Sequence, residues 1–313
     1  MDNARGLAAL ICDPVDSRLI DGLLSSGIRV SYEPAITASE LARRVKDYDI
    51  IVVRSRTKVN RDIISNGSRL RIIARAGIGT DNIDLESAAE HNIDIVTAAG
   101  SSTASVAELN VALAVSLARK IPLLSAKAKN GAWVKETGME LHGKVAGIIG
   151  FGRIGQATAR ILRSMGMKII AHDPVKYNEA IENVQGSYVS IEEIFMKSDV
   201  IFVLASFSRD SAGAIGKSYF DTSKRGVLIV NTSRAQFING PELLEALMEG
   251  QVGGYATDVF WHEPPESNWE KAIAAMDNVI VTPHIGAQTA EAQERVAEYT
   301  LKNLLGCLRE RVP

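Results

Sequence analysis

The stretch GIIGFGRIGQ, residues 147–156, joins an apolar run to a segment of helical spacing. Gly150, Gly152 and Gly155 fit G-x-G-x-x-G, a spacing that an ordinary tight turn also produces, so its meaning rests on what flanks it. VAGIIG precedes it as a strand-like run, and RIGQATARILRSMG follows it with helical spacing, closing at Gly166 as a C-cap. In that setting Gly150 permits the turn, Gly152 lets the backbone approach a pyrophosphate, and Gly155 lets helix and strand pack closely. The phosphates then face the N–H groups of a helix starting near Arg153. Asp173 ends the next strand-like run, where a carboxylate accepts from a ribose 2′-OH and repels a 2′-phosphate. The expected ligand is NAD rather than NADP.

Working outward, strand-like runs alternate with helical spacing on both sides of this stretch. LAALIC (7–12), DIIVVRS (49–55), LRIIARAG (70–77) and IDIVTAAG (93–100) form a first set. KVAGIIG (144–150), MKIIAHD (167–173), DVIFVLA (199–205), GVLIVNTS (226–233), GYATDVF (254–260) and NVIVTPH (278–284) form a second. Such alternation predicts α/β architecture, with two parallel-sheet units in series. In the first set, ARAGIGTDNID (74–84) has Gly77 and Gly79 after a strand but no third glycine. The N–H groups of Gly77, Ile78 and Gly79 either hold a carboxylate or simply make a turn. Between the sets, Ala104–Arg119 is apolar on nearly every face apart from Glu108 and Asn110, which requires burial all round, in a core or against a second subunit. The segment Ala290–Arg311 reads as an amphipathic helix with Val296, Tyr299, Leu304, Cys307 and Leu308 on one stripe.

Bulk properties narrow the function classes. A chain of 313 residues with 46% apolar and 23% charged residues has enough material for two packed cores. A formal charge of −2 without a long basic block argues against nucleic acid and anionic lipid and favours a small-molecule partner. Cys12 and Cys307 stand alone near opposite ends, so neither a structural disulfide nor a metal site is expected. MDNARGLAALICDP lacks the apolar stretch of a signal peptide, and no apolar run reaches membrane length, so a cytoplasmic protein is expected.

A nicotinamide oxidoreductase acting on an alcohol or carbonyl needs an acid/base group and a cation to fix its substrate. Three strand ends of the second unit offer them: Arg234 in VNTSRA, Glu263 in DVFWHEPP and His284 in VTPHIGA. Arg234 can grip a substrate carboxylate with its fork and polarise the neighbouring carbonyl. His284 can exchange a proton with the substrate oxygen, while Glu263 raises its pKa and fixes its tautomer. Taken singly, each has an ordinary reading as a solvated or structural side chain. His284 is preferred to His262 because it ends a strand-like run. His172 reads as a strand-end residue, and His91 and His142 as solvent-facing.

RAGIGTDNID, SVAEL, LARKIP, GFGRIGQ, HDP, VNTSRA, DVFWHEPP and TPHIGAQT, in this order and spacing, resemble the D-2-hydroxyacid dehydrogenase family over nearly the whole chain. Within it the likeness is greatest to the branch acting on D-3-phosphoglycerate. The resemblance implies that Arg234, Glu263 and His284 are catalytic. It implies a cofactor domain (100–287) inserted into a discontinuous substrate domain (1–99 and 288–313), with hinges near Ala99–Ser101 and Gly286–Gln288, and an active site in the cleft. It places Arg153, Ile154, Asp173, Thr232, Ser233, Asp258, Gly286 and Ala287 with the glycines at NAD, and Ala205 as well, although VLASFS departs from the family pattern. Arg54, Ser55, Ile78 and Gly79 then face the substrate, Arg54 toward a phosphate. Lys135 is a second candidate, unless it is merely an exposed loop charge. A homodimer through the 104–119 helix is implied as well. Ala235 and Asn239 stand where many relatives have Gly and Asp, and without further C-terminal domains no feedback inhibition by serine is expected. The implied reaction is NAD-dependent oxidation of D-3-phosphoglycerate to 3-phosphooxypyruvate. The alternatives are a glyoxylate or hydroxypyruvate reductase or D-lactate dehydrogenase and, in another class, an NAD(H)-sensing corepressor-like protein.

Overall fold

The computed structural model describes residues 6–310, so Arg311 of the expected terminal helix and the first five residues lie outside it. The chain divides into two compact units at Ser102/Thr103 and Ala287/Gln288. Residues 100–102 belong to the first unit rather than the second, because Arg295 Nε donates to the Ser101 carbonyl at 2.8 Å and Ser101 N–H to Ala98.

The first unit is a five-stranded parallel sheet of β1 (Ala8–Ile11), β2 (Arg29–Tyr32), β3 (Ile50–Val53), β4 (Ile72–Arg75) and β5 (Asp94–Thr97), in the order β2-β1-β3-β4-β5. β1 and β3 are buried throughout, as unbroken apolar runs require when helices cover both faces. The sequence reading lacks β2: its RVSY is an edge strand exposed at both ends and carries no apolar run. The helix Ala290–Glu310 buries Ala292, Val296, Ala297, Thr300, Leu304 and Leu308. Leu304 alone gains about 2 kcal/mol from leaving water. Tyr299 lies off this stripe and is exposed, since the buried positions advance in steps of four from Val296.

The second unit holds β6 (Val145–Ile149), β7 (Lys168–His172), β8 (Ser187–Tyr188), β9 (Val200–Val203), β10 (Val227–Asn231), β11 (Val252–Thr257) and β12 (Val279–Val281), all parallel. Their order, β12-β11-β10-β9-β6-β7-β8, reverses between β6 and β9. That switch opens a crevice at the carboxyl ends of the strands, where ligands of doubly wound sheets bind. β8 has only two residues, too short to show in sequence. Both units are thus Rossmann-like.

The helix Thr103–Ala118 packs Leu113, Ala114, Leu117 and Ala118 into the core of the second unit. Within one chain its Ala104, Glu108 and Ala112 remain exposed, so burial is not complete all round. Asn110 is fully buried and paired, donating to Thr158 Oγ1 at 3.1 Å and accepting from Thr232 Oγ1 at 2.7 Å. Among the described residues no single helix is long and apolar enough to cross a membrane, and no group of three or more His, Cys, Asp or Glu could hold a metal ion.

Candidate active site

The glycine loop follows β6 at the switch point. Gly150 has φ +96°, and a Cβ there would lie 2.3 Å from the Ala205 backbone nitrogen, so the turn admits only glycine. A Cβ on Gly155 would lie 2.2 Å from the Gly150 carbonyl oxygen, which accounts for the close packing of helix on strand. Gly152 differs: nothing stands within 4 Å of its Cβ position. It begins the helix Arg153–Ser164 without a side-chain cap. Open space over uncapped N–H groups at the dipole's positive end fits a pyrophosphate. Asp173 Oδ2 accepts from Phe151 N–H at 2.6 Å and Oδ1 from Val175 N–H at 2.8 Å, which fixes the carboxylate beside the loop.

At the carboxyl ends of β10 to β12 the structure brings together two of the residues singled out for acid/base work. His284 Nδ1 lies 3.0 Å from Glu263 Oε2 and 3.2 Å from Oε1. A carboxylate only accepts, so Nδ1 carries the proton and Nε2 is the nitrogen available for exchange. The two side chains are 51% and 44% exposed, open to a ligand rather than sealed in the core. The bond to Glu263 raises the imidazole above the ordinary histidine range against the opposing effect of burial. Burial tends to raise the Glu263 carboxyl, but the bonds from His284 and Phe260 N–H bring it below its ordinary value.

His284 is held in a left-handed conformation, φ 55°, which an L-residue adopts only under constraint. The constraint is Asp258. Buried to 2% exposure, it accepts from Ile285 N–H and Gly286 N–H, both at 2.7 Å, and from Thr282 Oγ1 at 2.6 Å. Asp258, expected at NAD, holds with its carboxylate the turn that carries the histidine, and Gly286 is one of its donors. Thr232 likewise gives its hydroxyl to Asn110, and Ser233 Oγ donates to the Ala205 carbonyl.

Arg234 follows β10, half-buried, with Nη1 on the Ser233 carbonyl at 2.7 Å and its own carbonyl bonded by Asn231 Nδ2 at 3.0 Å. Its charge acts on both Glu263 and His284.

In the first unit Arg54 follows β3. Asp13 accepts from its N–H at 2.5 Å, and Asn82 Nδ2 donates to its carbonyl at 2.7 Å, so the chain that carries the guanidinium is fixed from two sides. Burial lowers the pKa of that guanidinium. Ser55 and Ile78 are exposed, and Gly79 is half-buried. Gly77 N–H is used on the Arg75 carbonyl at 2.8 Å, so the three-amide nest considered from sequence narrows to Ile78 and Gly79. Arg75 is a candidate that only the structure adds. It ends β4 in register with Val53, the residue before Arg54, and its guanidinium lies against Gly77. The signal was present: a charged residue closing a buried parallel strand.

Lys135 is not brought to the histidine within its unit. Its neighbour Glu136 pairs with Lys120 and Lys127 beyond the end of the helix Thr103–Ala118. The other end of that helix is tied to Gly286 by Ser105 Oγ. The helix between them spans about 20 Å.

A model of the D-isomer specific 2-hydroxyacid dehydrogenase NAD-binding domain matches residues 111–286. The chain belongs to the D-2-hydroxyacid dehydrogenase family. Residues of this NAD-binding domain include the glycine loop, Asp173, Arg234, Glu263 and His284. The D-3-phosphoglycerate dehydrogenase of Archaeoglobus fulgidus is 38% identical over 292 residues, which make up 93% of this chain but 55% of that protein. The chain therefore spans about half the length of that curated relative. The hydroxypyruvate reductase of Thermotoga maritima is 40% identical over 286 residues, 91% of this chain and 92% of that one. Among solved structures, a glyoxylate reductase from Paecilomyes thermophila superposes with a TM-score of 0.87 at 27% identity, covering 97% of this chain and 96% of that one. Glu270, a buried partner of the Glu263 loop, also escaped the sequence reading of this family member, because an acid inside a short helix looks like any solvated charge.

Proposed function

We propose that the protein oxidises D-3-phosphoglycerate to 3-phosphooxypyruvate with NAD. The observation that carries the chemistry is the His284–Glu263 pair with Arg234 at the carboxyl ends of neighbouring strands. Arg234 grips the substrate carboxylate through two N–H groups and draws electron density from the carbon bearing the hydroxyl. His284 takes the hydroxyl proton at Nε2, and Glu263 stabilises the imidazolium that results. Bound NAD supplies the hydride acceptor. The helix Arg153–Ser164 and Gly152 receive its pyrophosphate, and Asp173 its adenosine ribose. In the reverse direction His284 returns the proton as the carbonyl is reduced.

The phosphate reading rests on Arg54 and Arg75, two guanidinium groups at the ends of adjacent strands β3 and β4. A doubly charged phosphoryl group suits such a pair, whereas glycerate or lactate has no use for it. Hydroxypyruvate reduction is the second reading, favoured by the relative matched over 92% of its length. We further infer a cytoplasmic homodimer, in which the exposed Ala104, Glu108 and Ala112 face of the crossover helix meets a second copy.

The deciding experiment follows NADH formation from D-3-phosphoglycerate, D-glycerate and D-lactate, with hydroxypyruvate reduction alongside, in the full chain and in Arg54→Ala and Arg75→Ala. Selective turnover of the phosphorylated acid, lost in both variants, supports the first reading. Hydroxypyruvate reduction unaffected by either change replaces it with the second. NADH binding without turnover of any acid leaves a sensor.

A further inference from the structure

Glu263 stands on an exposed loop. His262, Pro264 and Glu266 around it are all exposed, so little apolar packing holds the carboxylate at bonding distance from His284. The loop is tied down by a second carboxylate. Glu270, in the helix Asn268–Ala274, has no exposed surface. Its Oε1 accepts from His262 N–H at 2.8 Å and His262 Nδ1 at 3.0 Å, on one side of Glu263. Its Oε2 accepts from Glu266 N–H at 3.1 Å, Ser267 N–H at 2.7 Å and Ser267 Oγ at 2.8 Å, on the other. Burial tends to raise this carboxyl, yet the bonds from Ser267, His262 and Glu266 outweigh it and hold it at about 2. A helix cap needs only the Ser267 contacts. Those to His262 and Glu266 bracket Glu263 and serve the loop instead.

We propose that Glu270 is a positioning residue that sets the Glu263 carboxylate against His284 by anchoring the chain on both sides of it. Aromatic contacts complete the brace. Trp261 Nε1 donates to the Ile238 carbonyl at 3.0 Å, and its ring meets Trp269 edge-on at 4.9 Å. Gln236 Nε2 donates to the Trp261 carbonyl at 3.3 Å, which links the loop to the segment just after Arg234. Loosening Glu270 therefore weakens the Glu263–His284 bond without touching the glycine loop. For catalysis the proposal rests on the dehydrogenase reading given above.

The test is the titration of His284 in the full chain labelled with 15N-histidine, read by NMR. Among the described residues the charged groups that act on this imidazole are Glu263, Asp258 and Arg234. Glu263→Gln serves as the reference for a lost partner. Glu270→Gln is expected to lower the His284 titration by about half a pH unit. It should also reduce kcat about tenfold with KM for NAD unchanged. A folded Glu270→Gln protein whose His284 titrates as in the parent overturns the proposal. Should that variant fail to fold, Ser267→Ala decides, since it removes one donor and leaves the anion in place. A smaller drop in the same direction supports the proposal, and an unchanged titration overturns it. The titration needs no turnover. A parent protein inactive on every hydroxy acid would sink the dehydrogenase reading alone, and an unmoved His284 would sink this one alone.

Discussion

His284 Nδ1 lies 3.0 Å from Glu263 Oε2 across 21 positions of sequence, each residue standing on a turn that other carboxylates hold in place. Asp258 braces the histidine's turn, and Glu270 braces the loop of the glutamate.

In the proposed reaction this pair sets the pH response. Oxidation needs neutral His284, so it rises with pH through the raised pKa of the imidazole, and reduction falls through the same region. Glu263→Gln removes the main cause of the shift. The limb should move to lower pH by about one unit in both directions, measured as kcat/KM against pH. An unmoved limb would assign it to another group.

Arg234→Lys keeps a cation but loses the fork. The expected result is a fall in kcat/KM for the hydroxy acid of at least about tenfold, from one charge-assisted bond worth about 2 kcal/mol. The NAD dissociation constant, measured by fluorescence titration, should not change. Equal loss for cofactor and acid would place the arginine at NAD instead.

Two alanine substitutions in one loop should behave oppositely. Gly155→Ala forces a Cβ to 2.2 Å from the Gly150 carbonyl and should cost about 1–3 kcal/mol of stability. Gly152→Ala meets no protein atom within 4 Å, at a φ of −73° that any residue adopts. Its melting temperature should match the parent's while its NAD affinity falls, because the methyl occupies the space proposed for the pyrophosphate. Melting curves with and without NAD read both effects.

Asp173→Ser removes the charge proposed to repel a 2′-phosphate. KM for NAD should rise and the preference over NADP should narrow, measured as a ratio of kcat/KM values. Unchanged preference would show that Asp173 serves only the Phe151 and Val175 amides it already holds.

Acid stability should report Glu270. Its folded-state pKa of about 2 lies below the ordinary 4.5, so the stability it contributes is full above the ordinary value and is lost as the pH falls toward 2. Denaturant midpoints measured between pH 5 and pH 2 should fall less steeply in Glu270→Gln than in the parent.

Much of the architecture was legible because the physics is local. A fully buried parallel strand must be a continuous apolar run, so β1, β3, β9 and β10 announce themselves, as do the glycines that only a tight turn after β6 requires. β2 and β8 were not legible, since an exposed edge and a two-residue strand leave no hydrophobic trace. Tyr299 falls outside the buried stripe because spacing shows periodicity but not how the stripe drifts along a 21-residue helix.

The candidate site divides the same way. Sequence alone put Arg234, Glu263 and His284 at strand ends, because a parallel sheet directs every carboxyl end to one edge. Only the tertiary structure paired Glu263 with His284 and gave the Asp258 carboxylate the amides of the histidine turn. It also tied Thr232 to Asn110, set Arg75 in register with Val53 and buried Glu270 under the loop of Glu263. The reason is physical. A residue's neighbours along the chain set its backbone, but a carboxylate's role is fixed by the donors that reach it through space, and those come from segments that spacing does not relate.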